Sequence, residues 1–479
     1  MLSGVKQLSG QDAVFLYADT PDCPLQIASL VWLRLPESCR PVLPWFRDYY
    51  ARTIHEFPAM RQRVVQDPLR IDHPYWVDDP GFDLEAHLQG RRLGPDADVH
   101  DVRTLFGEFL GERLPEDRPL WQGLVVDGIR LADDPRPATA FILKLHHAMM
   151  DGASGAGLSD RIFSTRPGDG PPLPAPRPTP GPLPSAASLT WRAARQRATD
   201  PLRVARLISH VLSRPRGKDS SAGTAQPATA RAPARAPRCP LNVRISSRRE
   251  FDSVEVPAAV LAKLRESSGA TVNDLILTLC GGGLRQYLLQ RGQLPVSSLQ
   301  TLAPMSLHTS DDDGRPGNRI SVIRCSLATD IDDPQRRLAS IQAATARGKG
   351  RRGRGERRLV RELGRLVPAV PTQLAVRAYG LLSPHVAPLT NLVITSVRLS
   401  DAPLYMGPGS VVGFEGSGPL VDGLGLLIAA FGYRGGLTLS LTAAPEAVPD
   451  LPALVEALGQ QASLLQSSLA GQASMLPDH

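Results

Sequence analysis

Ala140-Phe141-Ile142-Leu143-Lys144-Leu145-His146-His147-Ala148-Met149-Met150-Asp151-Gly152 is the stretch on which the reading of this 479-residue chain turns. The apolar run at its start has the length and composition of a buried strand, and Gly152 permits a tight turn at its end. The pattern predicts a strand that delivers an imidazole into a cleft. Such a group suits the chemistry of a base that takes a proton from an alcohol or amine as it attacks a thioester. Strand alternation assigns the two histidines different jobs. Leu143, Leu145 and His147 share one face, while Lys144 and His146 share the other. His147 is therefore the candidate general base, and His146 a packing or hydrogen-bonding partner. A neutral imidazole accepts a proton at cellular pH because its ordinary pKa is about 6.5. Asp151, four residues after His147, either orients the ring or pairs with an arginine and holds the turn in shape. Gly152 supports the turn itself.

Outward from this stretch, the elements interleave. Residues 25–33 read as a strand and 41–56 as a helix, and 124–129 with 138–145 as a strand pair joined by a polar turn. A helix is expected over 155–163. In the second half helices are expected at 257–268, 273–290 and 450–469, and strands at 319–328, 391–399 and 424–443. Alternation of this kind gives an α/β or α+β class. A chain of this length is too long for one ordinary core. Two low-complexity stretches divide it: 166–184 is proline-rich, and 214–240 is rich in Pro, Ala, Arg and Ser. A helix is expected between them, over 189–213. The simplest parse is a first domain at 1–165, a connecting segment at 166–240 and a second domain at 241–479.

Composition narrows the function. Hydrophobic residues make up 42% and charged residues 21%, as in an ordinary globular protein. The net charge of +7 is spread over a long chain and does not choose between anionic lipid, a phosphorylated cofactor and nucleic acid. Five dispersed cysteines argue against a disulfide framework or a zinc site, and no metal or resident cofactor is expected. No run approaches the roughly 20 apolar residues that span a bilayer, and Met1 to Lys6 do not start a secretory signal. The expected location is cytoplasmic, with any membrane contact peripheral. Nine basic residues crowd 347–365 against only Glu356 and Glu362. A solvated face, an anionic membrane surface and the phosphates of a small-molecule substrate all remain open for them. Nucleic acid is not expected, since no aromatic interleaving or binding motif accompanies the charge. No G-x-S-x-G elbow is present, consistent with direct transfer to an acceptor hydroxyl rather than an acyl-enzyme.

With these residues in hand, the chain resembles the bacterial wax ester synthase/acyl-CoA:diacylglycerol acyltransferase family. That family lies within the CoA-dependent acyltransferases that include chloramphenicol acetyltransferase and peptide synthetase condensation domains. His146-His147-Ala148-Met149-Met150-Asp151-Gly152 matches the shared H-H-x-x-x-D-G motif. Leu8-Ser9-Gly10-Gln11-Asp12-Ala13-Val14-Phe15-Leu16, Trp76 to Leu84 with His87, and Arg118-Pro119-Leu120-Trp121 are similar to segments of this branch. So are Pro240-Leu241-Asn242, Val272-Asn273-Asp274 and Gly317-Asn318-Arg319, and all occur in order. The resemblance implies two chloramphenicol-acetyltransferase-like domains, each a mixed sheet flanked by helices, with an active-site channel between them. It implies that His147 activates diacylglycerol or a fatty alcohol against a fatty acyl-CoA, giving triacylglycerol or wax ester. Acyl-CoA would then be a co-substrate, and a membrane or lipid-inclusion surface the source of the acceptor. Asn273 would position donor or acceptor. From the residues alone, Asn273 and Asp274 are explained equally well as first-turn residues of a helix. Pro119, Leu120 and Trp121 would form a structural or substrate-channel element.

The second half departs from the family's usual pattern. Asn391 to Arg398 carries Thr395-Ser396 but lacks the second Asn and the Pro-Gly-Pro that usually follow. His308 stands where an Arg is common, and Leu427 where an Asn is usual. The first half keeps its chemistry while the second has lost polar groups expected near the channel. Two alternatives accompany the leading reading: a carrier-protein-dependent acyltransferase making a specialised lipid, and a non-catalytic lipid-binding homologue.

Overall fold

The computed structural model describes residues 5–131, 134–149, 159, 161–168, 181–198, 235–306, 320–349, 369–382 and 387–473. The first half runs β1 (Lys6–Gln7), α1 (Gly10–Ala18), β2 (Gln26–Arg34), α2 (Val42–Thr53), β3 (Gln62–Val65) and β4 (Tyr75–Asp78). It continues α3 (Leu84–His87), β5 (Leu88–Arg91), α4 (Val99–Gly111), β6 (Trp121–Leu131) and β7 (Asp134–His146), with a 3-10 turn at His147–Met149. Helix α5 (Ala186–Ala198) belongs to the connecting segment. The second half runs β8 (Glu250–Val256), α6 (Ala258–Ser268), α7 (Val272–Gln290), β9 (Gln300–Ser306), β10 (Ile320–Ser326), α8 (Pro334–Lys349) and α9 (Ala369–Leu382). It closes with β11 (Leu392–Arg398), β12 (Tyr405–Met406), β13 (Gly409–Ser417), β14 (Leu426–Tyr433), β15 (Gly436–Ala443) and α10 (Leu451–Ala473).

Among the described residues two six-stranded sheets carry the architecture, in the orders β12-β13-β2-β7-β6-β5 and β10-β9-β11-β14-β15-β8, beside a small β1-β4-β3 sheet. The α/β class with mixed sheets flanked by helices is what the sequence implied. In the first sheet β7 is central, antiparallel to β2 and β6, with Ile142 opposite Leu30 and Leu124. Its alternation is literal. Phe141, Leu143 and Leu145 enter the core shared with Phe46 and Tyr50 of α2, while Ala140 and Ile142 meet Val102, Phe106 and Leu110 of α4. Each such large side chain contributes about 1.5–3 kcal/mol on burial. The second sheet includes parallel pairs, β11 with both β9 and β14. Its core is completed by α7, buried through most of its length, and by α10. The span 424–443 is a hairpin rather than one strand, because Arg434 and Gly435 both take positive φ, 49° and 77°. That pair matches the tight turn whose twist suits two antiparallel strands.

The sheets do not follow the division of the sequence. β13, from the second half, pairs antiparallel with β2 and so joins the first sheet, with Phe414 opposite Val31. The proposed second domain at 241–479 therefore lends 405–417 to the first. A buried network fixes this exchange. Arg103 of α4 donates to both carboxylate oxygens of Glu415 in β13, at 2.9 and 3.0 Å, and to Asp252 and Ser253 of β8. Trp32 of β2 donates its indole N–H to the same Glu415, at 3.0 Å. Gly107 and Gly111 let α4 lie against the backbone entering β8, where an added Cβ would come within 2.6 Å of the Arg249 and Ser247 carbonyls.

Candidate active site

Strand β7 ends at His146, and His147 opens the 3-10 turn that follows. Ala148 and Met149 of this turn pack into the same core as Leu143 and Leu145. The His147 ring also lies on that side, stacked on Phe15 of α1 with ring centroids 3.9 Å apart and planes 19° from parallel. His146 lies on the Lys144 side of the strand. The two imidazoles thus diverge, though by a turn rather than by continued alternation.

The backbone around the pair is pinned on both sides. His147 N–H donates to the Leu25 carbonyl at 2.9 Å, and His146 N–H to the Leu120 carbonyl at 2.9 Å. Leu25 N–H donates to Asp19 at 2.9 Å, and Asp19 is held by Arg113 at 2.8 and 3.2 Å. Lys144, fully buried on the strand, donates to the Phe109 and Glu112 carbonyls at 2.7 and 2.9 Å, and Gln26 donates to Glu112 at 2.7 Å. These donors satisfy carbonyls that the end of α4 would otherwise leave orphaned. Burial pushes the Lys144 pKa down to about 8, which still leaves it mostly charged at neutral pH.

The ring nitrogens differ in how they are satisfied. His146 Nδ1 accepts from Ala148 N–H at 3.1 Å, so its proton sits on Nε2, 3.8 Å from Asp19. Burial, the neighbouring His147 and Arg113 push the His146 pKa down to about 4. His147 is half-buried, its Nδ1 is enclosed without a hydrogen-bond partner, and its Nε2 bonds to no described residue. Burial also lowers the His147 pKa, against an opposing influence from its own backbone carbonyl. Both rings are therefore neutral at pH 7; His146 has Nδ1 committed to Ala148 and an enclosed Nε2 without a hydrogen bond, whereas neither ring nitrogen of His147 is hydrogen-bonded to a described residue.

The remaining sequence candidates have other surroundings. Asp151 and Gly152 lie outside the described residues, as do His308 and Gly317-Asn318-Arg319, residues 351–365 of the basic run and most of the expected 155–163 helix. Trp121 is fully buried and donates to the Met60 carbonyl at 2.8 Å, while His87 stacks on it at 4.6 Å. Pro119 and Leu120 are buried beside it, and Leu120 supplies the carbonyl that pins His146. Asp274 closes a capping box with Thr271 at 2.6 and 3.1 Å, and its other oxygen accepts from Thr345 of α8 at 2.8 Å. Asn273 is half-buried, and its side chain makes no hydrogen bond among the described residues. No described hydrogen bond joins Asn273 or Asp274 to the histidine pair. Asn391 is buried and ties Gln300, Pro237 and Asn242 together, and Leu427 is core. Phe15, Asp19, Leu25 and Arg113 were not singled out from the sequence. They meet the histidines only through long-range contacts, although Phe15 lies within the Leu8–Leu16 segment quoted for the resemblance.

Among the described residues, no group of three or more His, Cys, Asp or Glu side chains is arranged to hold a metal. The arrangement can accept a proton at one ring nitrogen next to an apolar wall.

Residues 8–276 match the family model described as the wax ester synthase/diacylglycerol acyltransferase catalytic domain. Residues 316–466 match the WS/DGAT C-terminal domain. Two Mycobacterium tuberculosis proteins provisionally named diacylglycerol O-acyltransferases are similar along nearly the whole chain. Rv0895 is 30% identical over 96% of this chain and 90% of its own length. Rv1760 is 29% identical over 94% and 88% respectively. The fold is similar to that of a wax ester synthase/diacylglycerol acyltransferase from Marinobacter aquaeolei VT8, with TM-score 0.67 and 22% identity over 97% of this chain and 100% of that one. A trichothecene 15-O-acetyltransferase from Fusarium sporotrichioides shares the fold more loosely, with TM-score 0.54 and 11% identity over 97% and 95%.

Proposed function

The chain belongs to the wax ester synthase/diacylglycerol acyltransferase family, and we propose that His147 is the general base of its acyl transfer. The enzyme moves an acyl group to an acceptor hydroxyl, making triacylglycerol or wax ester. The donor in this reading is a long-chain fatty acyl-CoA, and the acceptor is diacylglycerol or a fatty alcohol. The observation that carries the assignment is the His147 ring, neutral, held on its backbone by Leu25, and with Nε2 bonded to no described residue.

In this reading the ring proton sits on the enclosed Nδ1, which leaves the lone pair on Nε2. Nε2 takes the acceptor's proton as its oxygen attacks the thioester carbonyl carbon. The C–S bond then breaks, the new C–O ester bond remains, and the imidazolium returns the proton to the CoA sulfur. His146 stays neutral with its Nδ1 committed to Ala148, which suits a strut rather than a proton carrier. In this reading Asp151 orients the His147 ring or holds the following loop in shape, and Asn273 positions a substrate. The test is to offer the purified protein palmitoyl-CoA with a panel of acceptors and identify esters by mass spectrometry. No ester from palmitoyl-CoA would favour the two alternative readings, which part on whether palmitoyl-carrier protein supports ester formation (carrier-dependent enzyme) or does not (lipid-binding homologue).

Peripheral contact with a membrane or lipid inclusion is part of this proposal. No described helix is long and apolar enough to cross a membrane, while both substrates carry long apolar chains. The basic residues at 347–365 supply attraction to anionic lipid worth about 1 kcal/mol each near the surface. Neutralising four of these arginines should weaken flotation with anionic vesicles, and added salt should weaken wild-type binding. Equal flotation of variant and wild type would remove this part of the reading.

A further inference from the structure

We propose that Phe15 is a positioning residue for His147, and that its ring face stabilises the imidazolium formed when His147 takes a proton. This rests on His147 being the base, and adds a residue that acts on the strength of that base.

The stack is close and nearly parallel, 3.9 Å between centroids and 19° between planes. An aromatic face carries partial negative charge, so a cation held over it is favoured over the neutral ring. His147 needs such a contribution, because burial works against its charged form. The titratable groups on the elements that meet the ring are otherwise engaged. His146 is neutral and bound to Ala148, Asp19 accepts from Leu25 and Arg113, and Asp12 of α1 accepts from Ser9 at 2.6 Å. Tyr17 Oη lies 2.9 Å from His73 Nδ1. None of them hydrogen-bonds a His147 ring nitrogen among the described residues.

The geometry is also fixed in advance. Helix α1 is capped by the Ser9 hydroxyl, which accepts from Asp12 N–H at 3.1 Å. At its other end Asp19 N–H donates to the Phe15 carbonyl at 3.1 Å, and the Asp19 carboxylate is the group that holds Leu25. Leu25 in turn holds His147. Phe15 and its target are therefore tied to one backbone unit, and α1 packs on α9 of the second half at the same time. A side chain needed only to fill space here could be aliphatic. An aromatic ring laid flat on the imidazole does more.

The experiment is an NMR titration of the His147 ring in the full-length protein, labelled at histidine and assigned by loss of its signal in His147→Gln. Phe15→Leu keeps apolar bulk and removes the π face. Its ring pKa should fall by roughly 0.4–0.7, about a 2.5- to 5-fold shift toward the neutral form. Phe15→Tyr and Phe15→Trp should restore the wild-type value. A Phe15→Leu pKa equal to or above wild type, in protein that Phe15→Tyr shows to fold at this position, overturns the proposal. The titration needs no turnover, so failure of the base assignment would be seen separately, as ester formation surviving in His147→Ala.

Discussion

The turn after β7 and the start of α7 make an instructive pair. Both are expected to carry substrate chemistry, and both present polar side chains half or fully buried. At α7, Asp274 spends its oxygens on Thr271 and Thr345, which closes the helix start and clamps α8. At β7, the backbone is bonded on both sides while the His147 ring keeps a nitrogen outside every described hydrogen bond. A buried polar group that is fully used holds a fold together. One held in place at its backbone yet left uncommitted at its tip is available for a reaction.

Substitutions can break that contrast. His147→Ala should show the largest effect, a loss of about 10²–10⁴-fold in kcat with the melting temperature little changed. His146→Ala should lose less, and a loss equal to that of His147→Ala would erase the distinction between the two rings. The next effect comes from pH. His146 has a pKa near 4 in the fold against about 6.5 unfolded, so on acidification the unfolded chain takes up the proton first. Stability contributed by the neutral ring is complete above about pH 6.5 and is lost as pH falls toward 4, by up to about 3 kcal/mol. Urea unfolding of wild type and His146→Gln at pH 7 and 4.5 measures it, and the variant should show the weaker pH dependence. The smallest effect belongs to α7. Asp274→Ala should cost about 1–3 kcal/mol of stability through the lost cap and the lost tie to Thr345 of α8. Its kcat, measured below the melting transition, should stay within about 2-fold of wild type. A collapse of kcat in folded Asp274→Ala would move that residue from scaffold to site.

Much of the fold was legible because its signals are local. The expected strand at 25–33 appears at 26–34, and the helix expected at 273–290 appears at 272–290. Alternation along β7 correctly separates the α2 and α4 faces, since a period of two is a property of the strand itself. It could not foresee that the strand stops at His146. The pairing of β13 with β2 joins residues almost 400 apart, and no local pattern announces such a contact. The site divides in the same way. The H-H-x-x-x-D-G spacing points to the imidazole, whereas Phe15, Asp19 and Arg113 reach it only after α1, α4 and β7 have been brought together.

The pH dependence of kcat/KM for transfer from palmitoyl-CoA to diacylglycerol tests the central assignment most directly. A neutral His147 with its pKa lowered by burial predicts a rate that is flat through neutrality and falls only through an ionisation below 6.5. An acid limb centred at or above 6.5, or the same limb persisting in the residual activity of His147→Ala, would contradict it.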